Sequence, residues 1–209
     1  MARQPLIVGK PALIVVDIQR DGALPDKDSG IPHMDGFTER IPRAEALVAA
    51  ARAASIPVIF FQEVHRRDGV DFGRELDGSE GVHCLEGEEA TELWPTLRPL
   101  DGEYHIVKRR YSGFIGTEFE LLLRGLGVST LILIGGLTDV CVHYTFADAH
   151  QRDFYVRVVE DCVGGSSQVR HDASLDAMEY LRSGARRSTQ EILDAFAALA
   201  ADAAMPASR

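Results

Sequence analysis

The chain lacks any apolar run near the ~20 residues that a helix needs to cross a bilayer. Stretches such as 13–16 and 131–134 are far shorter, so no membrane span is expected. It also lacks a basic excess: 22 Lys and Arg stand against 32 Asp and Glu, a formal net charge of −10. Such a surface repels phosphate backbones and anionic lipid, which argues against nucleic acid or membrane as a partner. Cysteine is scarce, with only Cys84, Cys141 and Cys162, and no C-x-x-C spacing. An odd number without paired spacing excludes a disulfide framework or a zinc finger and fits a reducing cytoplasm. Near the start, Arg3 precedes a short apolar run interrupted by Pro5 and Lys10, which does not read as a secretory signal. No internal repeat, low-complexity tract or linker appears. The 45% apolar content suffices for a sizeable core, and a single domain over residues 1–209 is expected, loose only from about Ala203.

What is present is an alternation of short β-branched runs with amphipathic segments. That alternation specifies an α/β protein of three αβα layers, with a doubly wound, mostly parallel sheet of about six strands. Strands are expected at 12–17, 57–62, 104–108, 130–134 and 154–159, with a short edge strand at 185–187. Helices are expected at 38–54, with Ile41, Leu47 and Val48 turned inward, and at 117–125, 139–151 and 168–182. Ser188 and Glu191 have the spacing of a capping box for the last helix. Residues 63–93 are polar and aperiodic, the mark of an ordered functional loop.

In open α/β sheets, ligands bind beyond the carboxyl ends of the strands. Asp17 ends the first strand, Lys108 ends the third, and Cys141 falls just after the fourth, in the first turn of a helix. A helix N-terminus and a neighbouring ammonium both favour a thiolate. A carboxylate at the end of an apolar strand needs a cationic partner, and Lys108 is the natural one. Asp17 is then placed to take the thiol proton, and the backbone N–H groups of Leu137 and Cys141 to receive an oxyanion. Each residue has a plain reading too: Cys141 as a small core side chain, Asp17 as a cap, Lys108 as a solvated edge residue.

Three longer motifs separate these readings: ALIVVDIQ at 12–19, IVKRRYSGFIGTEFELLLRGLGVSTLILIGGLTDVCV at 106–142, and ADAHQRDFYVRVVEDCVGG at 147–165. With them the chain resembles, over nearly its whole length, the isochorismatase-like cysteine hydrolases. That superfamily includes nicotinamidases, N-carbamoylsarcosine amidases, ureidoacrylate amidohydrolases and biuret hydrolases. The resemblance implies a catalytic triad of Asp17, Lys108 and Cys141 and a cis peptide between Gly136 and Leu137 that turns the Leu137 N–H toward substrate. It also implies hydrolysis of an amide or ureide C–N bond through a thioester, no organic cofactor, and a homodimer or homotetramer. TDVCV with the later VEDCVGG resembles the ureide-cleaving side. Thr138 and Asp139 are expected to fix the turn and cap the helix, Cys162 to be a packed thiol, and Cys84 to approach the pocket from the loop.

Two departures bear on substrate. Many relatives have an aromatic residue in a D-x-Q-x-D-F pattern, where this chain has Asp17, Gln19, Asp21 and then Gly22. The aromatic wall is either absent or supplied by Phe72, Trp94, Tyr111 or Phe114. Nicotinamidases carry Asp-x-His after the second strand, where this chain has Glu63 and His65, with Asp71 or His83 further on. Those groups are candidate zinc or iron ligands, although E-x-H-R-x-D also resembles biuret hydrolases, in which they hold no metal. The expectation is no metal. Gln19, Glu63, His65, Arg74, Tyr111 and Phe114 are the candidate substrate contacts; one of Arg66, Arg67 and Arg74 facing the pocket would suit an acidic or ureido substrate. The rival readings are a nicotinamidase-like metal amidase, an isochorismatase acting without cysteine, and a non-enzymatic interaction protein on the same fold.

Overall fold

The computed structural model describes residues 5–204. Six strands, β1 (Lys10–Val16), β2 (Val58–Glu63), β3 (Tyr104–Lys108), β4 (Val128–Gly136), β5 (Tyr155–Gly164) and β6 (Arg186–Arg187), form one sheet in the order β3-β2-β1-β4-β5-β6. Every neighbouring pair is parallel. The inner strands are apolar along their length because both faces are covered. Ala12, Ile14 and Val16 of β1 pack with Phe119 and Leu123 of α3 (Phe119–Leu126), Phe146 of α4 (His143–Gln151) and Leu175 of α5 (Gln168–Leu181). The alternate residues Leu13 and Val15 pack with Ile41, Leu47 and Val48 of α2 (Phe37–Ala53) and with Ile192 and Phe196 of α6 (Thr189–Ala204). A four-residue helix, α1 (Asp26–Ser29), precedes α2. No helix among the described residues is long and apolar enough to cross a membrane.

The expected three-layer architecture is therefore present, and the differences lie at element ends. Helix α3 starts later than residue 117 because the Thr117 hydroxyl accepts the Phe119 N–H at 3.1 Å, and it closes on left-handed Gly127 rather than Gly125. Strand β5 runs on to Gly164, so Cys162 lies within it rather than after it. The capping box forms: Glu191 Oε2 accepts the Ser188 N–H at 2.9 Å, and Ser188 Oγ accepts the Glu191 N–H at 3.3 Å. Ala203, where a loose tail was expected to begin, is still helical; residues 205–209 lie outside the described residues.

Chain direction sets the site. From β1 the connections run outward through β2 and β3 on one side, and β4 to β6 fill the other. The crevice at the carboxyl ends of β1 and β4 is thus a topological switch point. Gly135 is required there: its φ is +108°, and a Cβ would sit 2.0 Å from the Val16 carbonyl oxygen. Gly135→Ala is accordingly expected to cost roughly 3 kcal/mol or more of stability, from overpacking added to an unfavourable φ. Urea unfolding of the two proteins measures it, and an unchanged midpoint would contradict this account of the turn.

Candidate active site

Four adjacent strand ends deliver four polar side chains to one point. Lys108 closes β3, Glu63 closes β2 in register with it, Asp17 follows β1, and Cys141 follows β4. The Lys108 side chain is fully buried and reaches across β2: its Nζ lies 2.8 Å from Glu63 Oε2, 2.9 Å from Asp17 Oδ2 and 3.4 Å from Cys141 Sγ. Cys141 Sγ in turn lies 3.3 Å from Glu63 Oε2, and an Asp17 oxygen falls within 4.8 Å of the sulfur. Asp17 takes a left-handed φ of +46°, a conformation that is unfavourable for a residue bearing a Cβ. Apart from the Lys108 contact, neither of its oxygens has a hydrogen-bond partner among the described residues.

The charge states follow from these contacts. Burial would push the Lys108 ammonium down, but Asp17, Cys141 and Glu63 outweigh it and hold it well above its ordinary value. For Glu63, burial works upward while Lys108 and the two histidines His65 and His83 pull harder, leaving a firmly ionised carboxylate. Asp17 differs: burial dominates over Lys108, and its pKa rises to about 6. Burial also pushes the Cys141 thiol well above its usual range, with Glu63 and Asp17 adding to the effect against Lys108. Burial and the two carboxylates thus oppose the thiolate that a nearby ammonium favours, and the proton that Asp17 is expected to take stays on the sulfur at rest.

Cys141 sits in a wide turn, Thr138–Val142, in which the Val142 N–H reaches the Leu137 carbonyl at 3.1 Å. The Gly136–Leu137 peptide is cis, as the resemblance implied. Thr138 Oγ1 pairs with His171 Nδ1 at 2.9 Å, and the Asp139 carboxylate accepts the Ser166 N–H at 2.7 Å. These two residues tie the turn to the segment after β5 instead of capping α4 by their side chains.

The cluster opens into a cavity of about 100 Å³, to which Asp17, Gln19, Glu63, Tyr111, Leu137 and Cys141 all contribute. Gln19 also fixes the end of β2, its amide bonding the Glu63 carbonyl at 3.0 Å and its oxygen accepting the Glu63 N–H at 2.8 Å. His83, Cys84 and Cys162 line the cavity as buried groups, so Cys84 does approach it from the long loop. Tyr111 donates its hydroxyl to Glu80 at the rim, 3.2 Å away. Several sequence candidates, His65 among them, lie outside the cavity lining. Arg74 is 92% exposed and paired with Asp77. Arg66 pairs with Asp68 at the surface, and Arg67 is exposed. Phe114 belongs to the core, edge-on to Phe119, with the Arg152 guanidinium over its ring. Phe72 and Trp94 also lie outside the cavity lining. The aromatic wall comes from Tyr111, one of the sequence candidates, and from Phe37, whose ring atoms lie 2.3 to 2.9 Å from where a Gly22 Cβ would be. Gly22 thus clears the space that Phe37 fills.

Beneath Glu63 lies a second polar cluster. His65, fully buried, places Nε2 at 3.2 Å from Glu63 Oε1 and 3.1 Å from Glu75 Oε2, and Nδ1 at 3.5 Å from Asp71. Burial lowers its pKa, but the Glu63 and Glu75 carboxylates raise it further, to about 9. His83 Nε2 lies 3.6 Å from Glu63 Oε1. Glu63, His65, Glu75 and His83 bring ligand atoms within 4.8 Å of one another, a donor set that zinc accepts. Glu75 was missed in the sequence because nothing in the loop spacing links it to His65; Asp71 is shared between His65 and Arg109, the latter at 3.1 Å.

A model of the isochorismatase domain matches residues 11–191. A ureidoacrylate amidohydrolase of Methylorubrum extorquens is 34% identical over 175 residues, covering 71% of this chain and 67% of its own. Among solved structures, a cysteine hydrolase from Pseudomonas syringae is similar with a TM-score of 0.81 at 25% identity, covering 95% of this chain and 100% of that one. A pyrazinamidase of Pyrococcus horikoshii in complex with zinc has a TM-score of 0.71 at 27% identity, covering 82% of this chain and 96% of its own.

Lys108 is the shared cation of two buried carboxylates, so removing it leaves uncompensated charge. Lys108→Met is expected to cost about 3–5 kcal/mol in urea unfolding at neutral pH. Adding Glu63→Gln to that variant is expected to restore part of the loss. A single variant as stable as the parent would show that the cluster is not charge-coupled.

Proposed function

The chain belongs to the isochorismatase family, and from that premise we propose that it is a cysteine-dependent amidohydrolase cleaving the C–N bond of a small amide or ureide. The observation that carries the reading is the placement of one buried ammonium against Asp17, Glu63 and Cys141 at the floor of a cavity.

Cys141 Sγ attacks the substrate carbonyl carbon as its proton passes to the Asp17 carboxylate. Glu63 is nearer the sulfur, yet it is the weaker base, being firmly ionised, whereas a carboxyl with a pKa near 6 is matched to proton transfer at neutral pH. The developing oxyanion is received by the backbone N–H groups of Leu137 and Cys141, an interaction typically worth about 3 kcal/mol. Asp17 then protonates the leaving nitrogen, the C–N bond breaks, and a thioester remains. Water, deprotonated by Asp17, attacks that thioester, the acid leaves, and Cys141 recovers its proton. Lys108 keeps Asp17 oriented and faces the charge on sulfur.

A divalent ion, were one bound, would be held by Glu63, His65, Glu75 and His83 and would supply a Lewis acid at the cavity floor. The proposed steps do not need it, since Lys108 supplies the positive charge and His65 carries a proton between Glu63 and Glu75. The ureidoacrylate amidohydrolase relative supports a linear ureide over nicotinamide as substrate.

Ammonia release from nicotinamide, maleamate, biuret and N-carbamoyl amino acids tests the reading. Hydrolysis of a ureide faster than nicotinamide is expected, unchanged by a chelator; loss on chelation would favour a metal amidase. Cys141→Ala and Asp17→Asn are each expected to lower kcat/KM by ~10⁴-fold, and an alanine variant with full activity would end the nucleophile assignment. Asp17 must be ionised to act as base, so kcat/KM is expected to hold above its pKa of about 6 and to fall as the pH drops through it. An acid limb near 4, the ordinary carboxylate value, would contradict this assignment.

A further inference from the structure

The cavity has an acidic side and a cationic side, and the second has no part in the proposed chemistry. Asp17 and Glu63 lie at the ends of β1 and β2, with Asp21 and Glu80 on the loops beyond them. On the β5 side the charged lining residue is Arg40, from the first turn of α2. Two glycines make room for it. A Cβ on Gly164, the last residue of β5, would lie 2.5, 2.7 and 2.9 Å from Nη2, Cζ and Nε of the guanidinium. A Cβ on Gly36 would lie 3.0 Å from its Nη1. Gly164 is in register with Gly136, the residue that begins the cis peptide, so Arg40 lies beside the turn that leads to Cys141.

Arg40 is also short of partners. Its Nη1 donates to the Asp35 carbonyl at 3.0 Å, and it forms no ion pair among the described residues. A guanidinium carries five N–H donors in a planar fork suited to a carboxylate. Arg40 is only partly buried, so its remaining N–H donors are open to a ligand in the cavity. Arg66, Arg67 and Arg74, the arginines of the long loop, are excluded from this role by their surface positions.

We infer that Arg40 is a specificity-determining residue that binds the carboxylate of an acidic substrate, so that the preferred amides or ureides are those bearing a carboxylate a few bonds from the scissile C–N bond. The inference rests on the proposed hydrolase reading for its substrate class, with the reacting carbonyl over Cys141 and the acid directed toward Gly164. The anionic groups on the opposite side then favour one orientation of such a molecule over the reverse.

The test separates binding from chemistry. In full-length protein carrying Cys141→Ala, calorimetry compares 3-ureidopropionate with its neutral counterpart 3-ureidopropionamide. The acid is expected to bind at least tenfold more tightly. Adding Arg40→Met is expected to remove that preference while leaving binding of the amide unchanged, which also reports that the variant is folded; Arg40→Lys is expected to retain part of it. Failure of the acid to bind, equal binding of the two compounds, or a preference that survives Arg40→Met would each overturn the inference. Hydrolysis of both compounds by the Cys141 protein is measured alongside. If neither is cleaved, the hydrolase reading fails for this class, whereas the Arg40 preference is still decided by calorimetry.

Discussion

The ammonium of Lys108 is the interaction on which the rest of the site depends. It is buried without solvent exposure and lies within 2.9 Å of both the Asp17 and the Glu63 carboxylates. An isolated ion in that position would cost several kcal/mol, as would either carboxylate alone. Together they are tolerable because one cation serves two anions, and the second anion is itself held by His65 from below. The sheet makes the sharing possible. Glu63 and Lys108 are in direct register on neighbouring strands, and β1 lies on the other side of β2, so the lysine side chain spans one strand to reach Asp17.

That arrangement constrains the backbone around it. Asp17 leaves β1 in a left-handed conformation, and Gly135, beside the Val16 carbonyl, approaches too closely for any side chain. The close approach lets the turn after β4 bring Cys141 to the same ammonium at 3.4 Å. The turn is braced from the far side through Thr138 to His171 and Asp139 to Ser166. Both braces come from the segment and helix that follow Gly164, the last residue of β5, which makes room for Arg40. The placement of Cys141 and the cationic wall therefore depend on one stretch of chain.

What the sequence discloses here follows its physical determinants. The central strands were legible because burial on both faces demands unbroken apolar runs, and Asp17 and Lys108 stood out as charges terminating such runs. The end of β5 was not. Glu160 and Asp161 look like the close of a strand, but Arg186 pairs with the first at 2.9 Å and the Thr189 N–H reaches the second at 2.8 Å, so the strand continues to Gly164. Arg40 was hidden for a related reason: next to Ile41 in an amphipathic helix it looks like a solvated charge, and the glycine that makes its space lies on a distant strand. Phe37 was hidden likewise, although the missing aromatic at Gly22 signalled that something must fill that space. Arg74 misled because a loop arginine finds its nearest acid, Asp77, three residues away.

In the proposed reaction the resting thiol has a consequence for the energetics of attack. Moving a proton from Cys141 to Asp17 converts a carboxylate into an acid and a thiol into a thiolate. Negative charge is thereby displaced between two atoms that already lie 2.9 and 3.4 Å from the same ammonium. The formal charge of the cluster does not change, and Glu63 and His65 are already fixed by their partners. In water the same transfer would require solvent to reorganise around both groups, while here the compensating charge is in place beforehand. Raising the Asp17 pKa to about 6 makes it a stronger base toward the buried thiol, whose own pKa burial raises as well. Burial thus disfavours the thiolate and strengthens its base together, and Lys108 lets the proton cross between them without a change in the charge it faces.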